Sequence, residues 1–250
     1  VPINIAVAGK GGTGKTTFAA LLIKHLEANK KKAILAVDAD PNSNLHEALG
    51  LELGETIADF LDDTKQVGLL PAGMTKTQYI QYKLQSSIIE TKNVDLLSMG
   101  APEGPGCYCY PNDLLRQHLE NISSGYDYMV VDNEAGLEHL SRRVAQNVDH
   151  LFVISDPTAR GVRSAARVHD IIKKLSIKID NLYLVITRST PEAITPLQPE
   201  IDKADLQVIG TIPRDEELER LDLEGRPLVE LPGDAKAVAA IRRIAEEIGL

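Results

Sequence analysis

The stretch GKGGTGKTT, Gly9–Thr17, holds the first chemistry this chain can do. It fits the pattern G-x-x-x-x-G-K-[ST], with an apolar run, INIAVA, before it and a helical pattern after it. Glycines at Gly9, Gly11, Gly12 and Gly14 let successive backbone N–H groups turn inward toward phosphate oxygens, and the helix start adds its positive dipole end. Lys15 is expected on the β/γ-phosphates of a nucleotide and Thr16 on Mg²⁺. Thr13 lies in the cradle, and Thr17 can reach a further phosphate oxygen. A second lysine, Lys10, follows Gly9 although the pattern does not ask for it.

Two acidic stretches follow apolar runs. In VDADPNSN, Val37–Asn44, Asp38 and Asp40 are two residues apart on an emerging extended segment, so both can face one side. Carboxylates there are suited to hold Mg²⁺ waters and to orient a water for phosphoryl transfer. In VVDNEAG, Val130–Gly136, an apolar run ends at Asp132, whose carboxylate would sit in the Mg²⁺ shell, and Gly136 permits backbone approach to a γ-phosphate.

The chain has two cysteines, Cys107 and Cys109, inside GPGCYCYPND. On an extended segment, residues two apart project to the same side, so both thiolates can lean onto one ion. Two thiolates are half of a tetrahedral set, and a two-fold axis that brought Cys107 and Cys109 of a second copy would complete it. An intersubunit iron–sulfur cluster, a strained intramolecular bridge and a pair of incidental loop thiols remain open alternatives.

These groups need a scaffold. INIAVA (Ile3–Ala8), AILAVD (Ala33–Asp38), YMVVD (Tyr128–Asp132), LFVIS (Leu151–Ser155), LYLVIT (Leu182–Thr187) and QVIGTI (Gln207–Ile212) read as buried parallel strands, with one more at Val94–Met99. Helical spacing over Lys15–Asn29, Leu137–Gln146, Arg163–Leu175 and Ala235–Ile248 alternates with them. The expected fold is α/β, a doubly wound, mainly parallel sheet with helices on both faces and ligands beyond the carboxyl ends of the strands. One domain is expected over residues 1–250, with an insertion around 64–93. A net charge of −9 argues against broad nucleic-acid binding. No apolar run is long enough to span a membrane, so the expectation is a cytoplasmic protein without membrane or nucleic-acid partners.

The phosphate loop with Lys10 resembles the deviant Walker A loop of the MinD, ParA and nitrogenase-iron-protein class of ATPases. That resemblance implies ATP hydrolysis, ATP-linked homodimerisation and a Lys10 that reaches the partner's nucleotide. It implies that Asp40 positions the attacking water and that Asp38 lies on the Mg²⁺ side. TIPRD, Thr211–Asp215, is similar to the segment whose backbone lines adenine, which places Pro213 there. Where many relatives carry Asn after the sixth strand, this chain has Thr187 and Arg188.

The C-x-C pair, VDADPNSN and AGLEHLSR (Ala135–Arg142) together resemble the CooC-type and AcsF-type nickel-insertion ATPases. The resemblance implies a maturation factor for a nickel enzyme client, carbon monoxide dehydrogenase or acetyl-CoA synthase, with Ni²⁺ or Zn²⁺ at Cys107 and Cys109 across a dimer. The alternatives are a MinD/ParA-like positioning ATPase and an iron–sulfur ATPase. Against the first, the last helix balances Arg242 and Arg243 with Glu246 and Glu247 and lacks a basic anchor. Against the second, the cysteines are two residues apart rather than far apart.

Overall fold

The computed structural model of the chain describes residues 2–28, 32–59, 73–101, 109–134, 147–175 and 178–250. Its strands are β1 (Ile3–Gly9), β2 (Ile34–Ala39), β3 (Val94–Ser98), β4 (Tyr128–Asn133), β5 (Asn147–Ser155), β6 (Lys178–Thr187) and β7 (Gln207–Ile212). They form one parallel sheet in the order β3-β2-β4-β1-β5-β6-β7. The chain winds outward from β1 to one edge, returns through β4, and then winds to the other edge. The carboxyl ends of β1, β2 and β4 therefore meet near the middle of the sheet, where such folds place their ligands.

Period-two alternation sorts the strand side chains onto two faces. Ile5 and Val7 of β1 lie in one core with Ile34 and Ala36 of β2, Val130 of β4, and Phe152 and Ile154 of β5. Helices cover that face: α1 (Lys15–Glu27), α2 (Leu45–Leu49) and, later in the chain, two at Glu216–Leu223 and Lys236–Glu247. Phe18 to Ile23 of α1 are buried without interruption, so α1 is enclosed on every side rather than amphipathic. Phe18 packs on Phe152 at 4.8 Å between ring centres, and Phe152 on Tyr183 at 5.6 Å.

The opposite face carries two cores. One joins Leu35, Val37, Leu97 and Met129 to Ile80 and Leu84 of α3 (Lys76–Ser86) and Leu119 of α4 (Cys109–Ile122). The other joins Ala6, Val153 and Leu184 to Val162, Ala165 and Val168 of α5 (Ala159–Leu175) and Ile201 of α6 (Gln198–Ala204). The two later helices are α7 (Glu216–Leu223) and α8 (Lys236–Glu247). Ala237, Val238, Ala240, Ile241, Ile244 and Ala245 of α8 are all buried. Among the described residues no helix is long and apolar enough to cross a membrane.

Several sequence expectations shift. β5 and β6 each start four residues earlier than their apolar runs, because ladder pairing continues through polar residues such as Asn147 with Lys178. α5 also starts four residues earlier, which brings Arg160 into the helix. Within the segment expected as an insertion, α3 is capped by Thr75 and Gln78 in a reciprocal box and sends Tyr79, Ile80 and Leu84 into the core. Cys109, expected on an extended stretch, is instead the first residue of α4. Pro111 is tolerated there because N–H groups of a first helical turn have no intrahelical partner to lose. Cys107, Gly136 and the helix expected over 137–146 lie outside the described residues.

Candidate nucleotide site

β1 runs into the phosphate loop at Gly9, where a Cβ would sit 2.3 Å from the carbonyl oxygen of Ile154 on β5. Gly12 (φ 74°) and Gly14 (φ 91°) adopt the left-handed region that glycine tolerates without strain, and Gly14 caps α1. The loop's carbonyls are tied back. Lys10 O accepts from Thr13 Oγ1 at 2.8 Å, Thr13 O from Thr187 Oγ1 at 2.8 Å, and Gly12 O from Arg188 Nη2 at 2.9 Å. Thr13 N–H also donates to Lys10 O, at 3.4 Å, and the remaining N–H groups of the loop, with the amino end of α1, are left for an anion. Lys15, the first residue of α1, is buried at the floor of this cradle, and Thr16 and Thr17 follow it.

The two strand-end carboxylates converge on it. Asp38 of β2 and Asp132 of β4 are register partners on neighbouring strands, and both are buried. Asp132 Oδ2 accepts from Thr16 Oγ1 at 2.6 Å, while its Oδ1 is buried without a partner among the described residues. Burial raises the Asp132 carboxyl to about 7; the Thr16 hydrogen bond opposes the rise, the Asp38 charge adds to it, and Lys15 opposes it. Asp38 rises to about 6, again chiefly through burial, although Leu45 and Asp40 donate their backbone N–H groups to it. A buried carboxylate oxygen with no donor, beside a threonine hydroxyl, is a hard-oxygen set of the kind Mg²⁺ takes. These residues fit the ion.

Asp40 sits beyond β2, half-buried, in a turn. Its Oδ1 accepts from the backbone N–H and the side-chain amide of Asn42, each at 2.9 Å. Its Oδ2 is unengaged among the described residues. The turn closes through Ser43, whose positive φ of 49° and N–H donation to Asp40 O aim the segment back toward α2.

Beside the loop lies a cavity of about 330 Å³, lined in part by Gly14, Phe18, Thr187, Arg188, Pro213 and Leu218. Pro213, expected at the adenine, is one of the residues lining this cavity. Asp215, at its edge, is fully committed elsewhere: Oδ1 accepts from Glu217 and Leu218 N–H and caps α7, and Oδ2 accepts from Ala237 N–H at 2.9 Å. The roles of Thr187 and Arg188 in fastening the phosphate loop, and of Asp215 in joining α7 to α8, were not expected. For Asp215 the signal was present, an Asp followed by Glu-Glu ahead of an apolar pattern. Lys10, by contrast, is exposed and points to a separate groove. Among the described residues, no group of three or more His, Cys, Asp or Glu side chains is placed to hold a metal ion.

A parallel sheet with a glycine loop at the end of its central strand, a buried lysine and two strand-end carboxylates defines a nucleotide-binding α/β domain of the P-loop kind. The chain belongs to the CobQ/CobB/MinD/ParA nucleotide-binding family, whose model matches residues 5–228, and it is an ATPase of the MinD/ParA class. It is 44% identical to the ATP-binding protein MJ0685 of Methanocaldococcus jannaschii over 98% of this chain and 97% of that one. It is 28% identical to the carbon monoxide dehydrogenase accessory protein CooC of Rhodospirillum rubrum, over 99% of this chain and 98% of that one. Its fold is similar to that of the septum site-determining protein MinD of Pyrococcus horikoshii, solved with Mg-ADP, with a TM-score of 0.74 at 24% identity. That match covers 100% of this chain and 96% of MinD.

Proposed function

We propose that this ATPase is a homodimeric maturation factor that delivers Ni²⁺ to a nickel enzyme of the carbon monoxide dehydrogenase or acetyl-CoA synthase kind. The observation that carries the reading is the coincidence, in one chain, of the pair Cys107 and Cys109 with a match to CooC along almost the full length of both proteins. Paired thiolates of two copies would make a Cys₄ set for Ni²⁺ as cargo, a set that Zn²⁺ can also occupy. Cys109 is the first residue of α4, a helix that packs on the sheet through Leu119.

The nucleotide residues divide the work as follows. Lys15 pairs the β/γ-phosphates, Gly9, Gly11, Gly12, Thr13 and Gly14 cradle them, and Thr17 takes a further oxygen. Thr16 and Asp132 hold Mg²⁺, with Asp38 beside them; the ion, when bound, neutralises charge building on the β/γ-oxygens. Asp40, with Oδ2 open, orients the attacking water and takes its proton. Gly136 follows the γ-phosphate, Pro213 borders the adenine, and Lys10 reaches the nucleotide of the second copy, so that hydrolysis and dimerisation are linked.

A positioning ATPase is the second reading, favoured by 26% identity to MinD of Thermotoga maritima over 98% of this chain and 87% of that one. Against it, the apolar side of α8 is spent in the core, so this helix offers no face to a membrane. The test is a Cys107→Ala, Cys109→Ala double variant. It should bind ATP as the parent does and lose its stoichiometric Ni²⁺ or Zn²⁺. Undiminished metal in that variant would remove the basis for the maturation reading. A brown, iron-containing anaerobic parent would point instead to an intersubunit cluster.

A further inference from the structure

Next to the phosphate loop, and separate from the base cavity, lies a groove of about 380 Å³ lined by Lys10, Arg160, Arg163, Ser164 and Arg167. The three arginines fall at helical spacing on one side of α5, and Lys10 forms the facing wall. They are exposed. Arg163 has one counter-charge, Glu200, at 3.3 Å. No described carboxylate pairs with Lys10, Arg160 or Arg167.

This concentration of cations is not a by-product of composition, since the chain carries a net charge of −9. Nor does local helix physics favour it. Arg160 stands in the first turn of α5, which holds no acidic residue, and a cation there opposes the positive end of the helix dipole. Departures from local preference of this kind are expected at functional sites.

We propose that this groove is a docking site for a short acidic segment of a protein partner. Guanidinium forks grip carboxylates bidentately, and Ser164 adds a neutral donor between them. From Arg160 to Arg167 the helix rises about 10 Å, the reach of a few extended residues rather than of a nucleic-acid tract. A longer polyanion would run off the groove onto an acidic protein, where its remaining charges are repelled. The proposal is independent of the metal carried. It bears on how a client is seated on the single chain, before Lys10, which lines the groove, crosses to the nucleotide of a second copy.

The experiment is fluorescence anisotropy of the full chain with a labelled tetraglutamate peptide at low salt, for the parent and an Arg160→Ala, Arg167→Ala double variant. The parent should bind in a salt-sensitive manner, and the variant should bind about tenfold more weakly or worse. Thermal midpoint and basal ATP turnover should not change, since both side chains are exposed and outside the nucleotide residues. An Arg167→Lys variant, which keeps the charge and loses the fork, should fall between the two. Absence of binding by the parent, or equal binding by the double variant, would overturn the proposal. Tighter binding of a ten-nucleotide oligo(dT), lost in the same variant, would overturn it in favour of nucleic acid.

Discussion

Asp38 and Asp132 stand opposite each other as register partners on β2 and β4, both buried, at the end of the sheet that carries the phosphate loop. Their carboxyls rise to about 6 and about 7, from an ordinary value of 3.8. Between the ordinary and the raised values, the folded chain holds protons that the unfolded chain has released. Stability without nucleotide should therefore fall as pH rises from about 4 to about 7. Asp132→Asn removes the charge and keeps an acceptor for Thr16. It should raise the thermal midpoint of the nucleotide-free protein at pH 7.5 by several degrees and flatten its pH dependence. The same variant should lose the extra stabilisation that Mg²⁺ adds to bound nucleotide. Differential scanning calorimetry at pH 5 and 7.5, without nucleotide, with ADP alone and with Mg-ADP, reads all three.

Thr187 holds the phosphate loop from the far side of the sequence, 174 residues from Thr13. Its hydroxyl also lies 3.2 Å from Ser155 O, the last residue of β5. Thr187→Val is nearly isosteric and leaves both acceptors without this donor. It should cost about 1–2 kcal/mol of stability and weaken nucleotide binding up to about tenfold. Denaturant titration and calorimetric titration with ATPγS separate the two effects. An unchanged nucleotide affinity would mean that Arg188, on Gly12 O, fixes the loop alone.

Asp40 carries two duties that a conservative change can part. Asp40→Asn still offers an acceptor to Asn42 and so preserves the turn, but it can no longer take a proton. Turnover should fall by about 100-fold or more, with ATP affinity changed little. A variant with near-parental turnover would leave Asp40 as a turn residue only, and the water would need another base.

What the sequence made legible, and what it did not, follows from how local each signal is. Parallel strands covered on both sides read as unbroken apolar runs, so each strand centre could be found. The amino ends of β5 and β6 could not be, because Asn147, Asp149 and Asn181 are polar where the ladder nears solvent. α4 was hidden because Cys109, Pro111, Asn112 and Asp113 look like a turn, although Leu114, His118, Leu119 and Ile122 that follow have helical spacing. The phosphate loop was legible since all its residues are consecutive. Its fastening by Thr187 and Arg188 was not, since that depends on β1, β5 and β6 lying side by side.

The most direct test of the two-copy site is native mass spectrometry of the anaerobic protein with Ni²⁺, with and without a nonhydrolysable ATP analogue, for the parent and Lys10→Ala. The parent should give a dimer that holds one metal ion per two chains and becomes more abundant with the analogue. Lys10→Ala should bind the analogue yet gain little dimer from it. A parent that stays monomeric with both Ni²⁺ and the analogue present, or that binds one ion per single chain, would contradict the shared site.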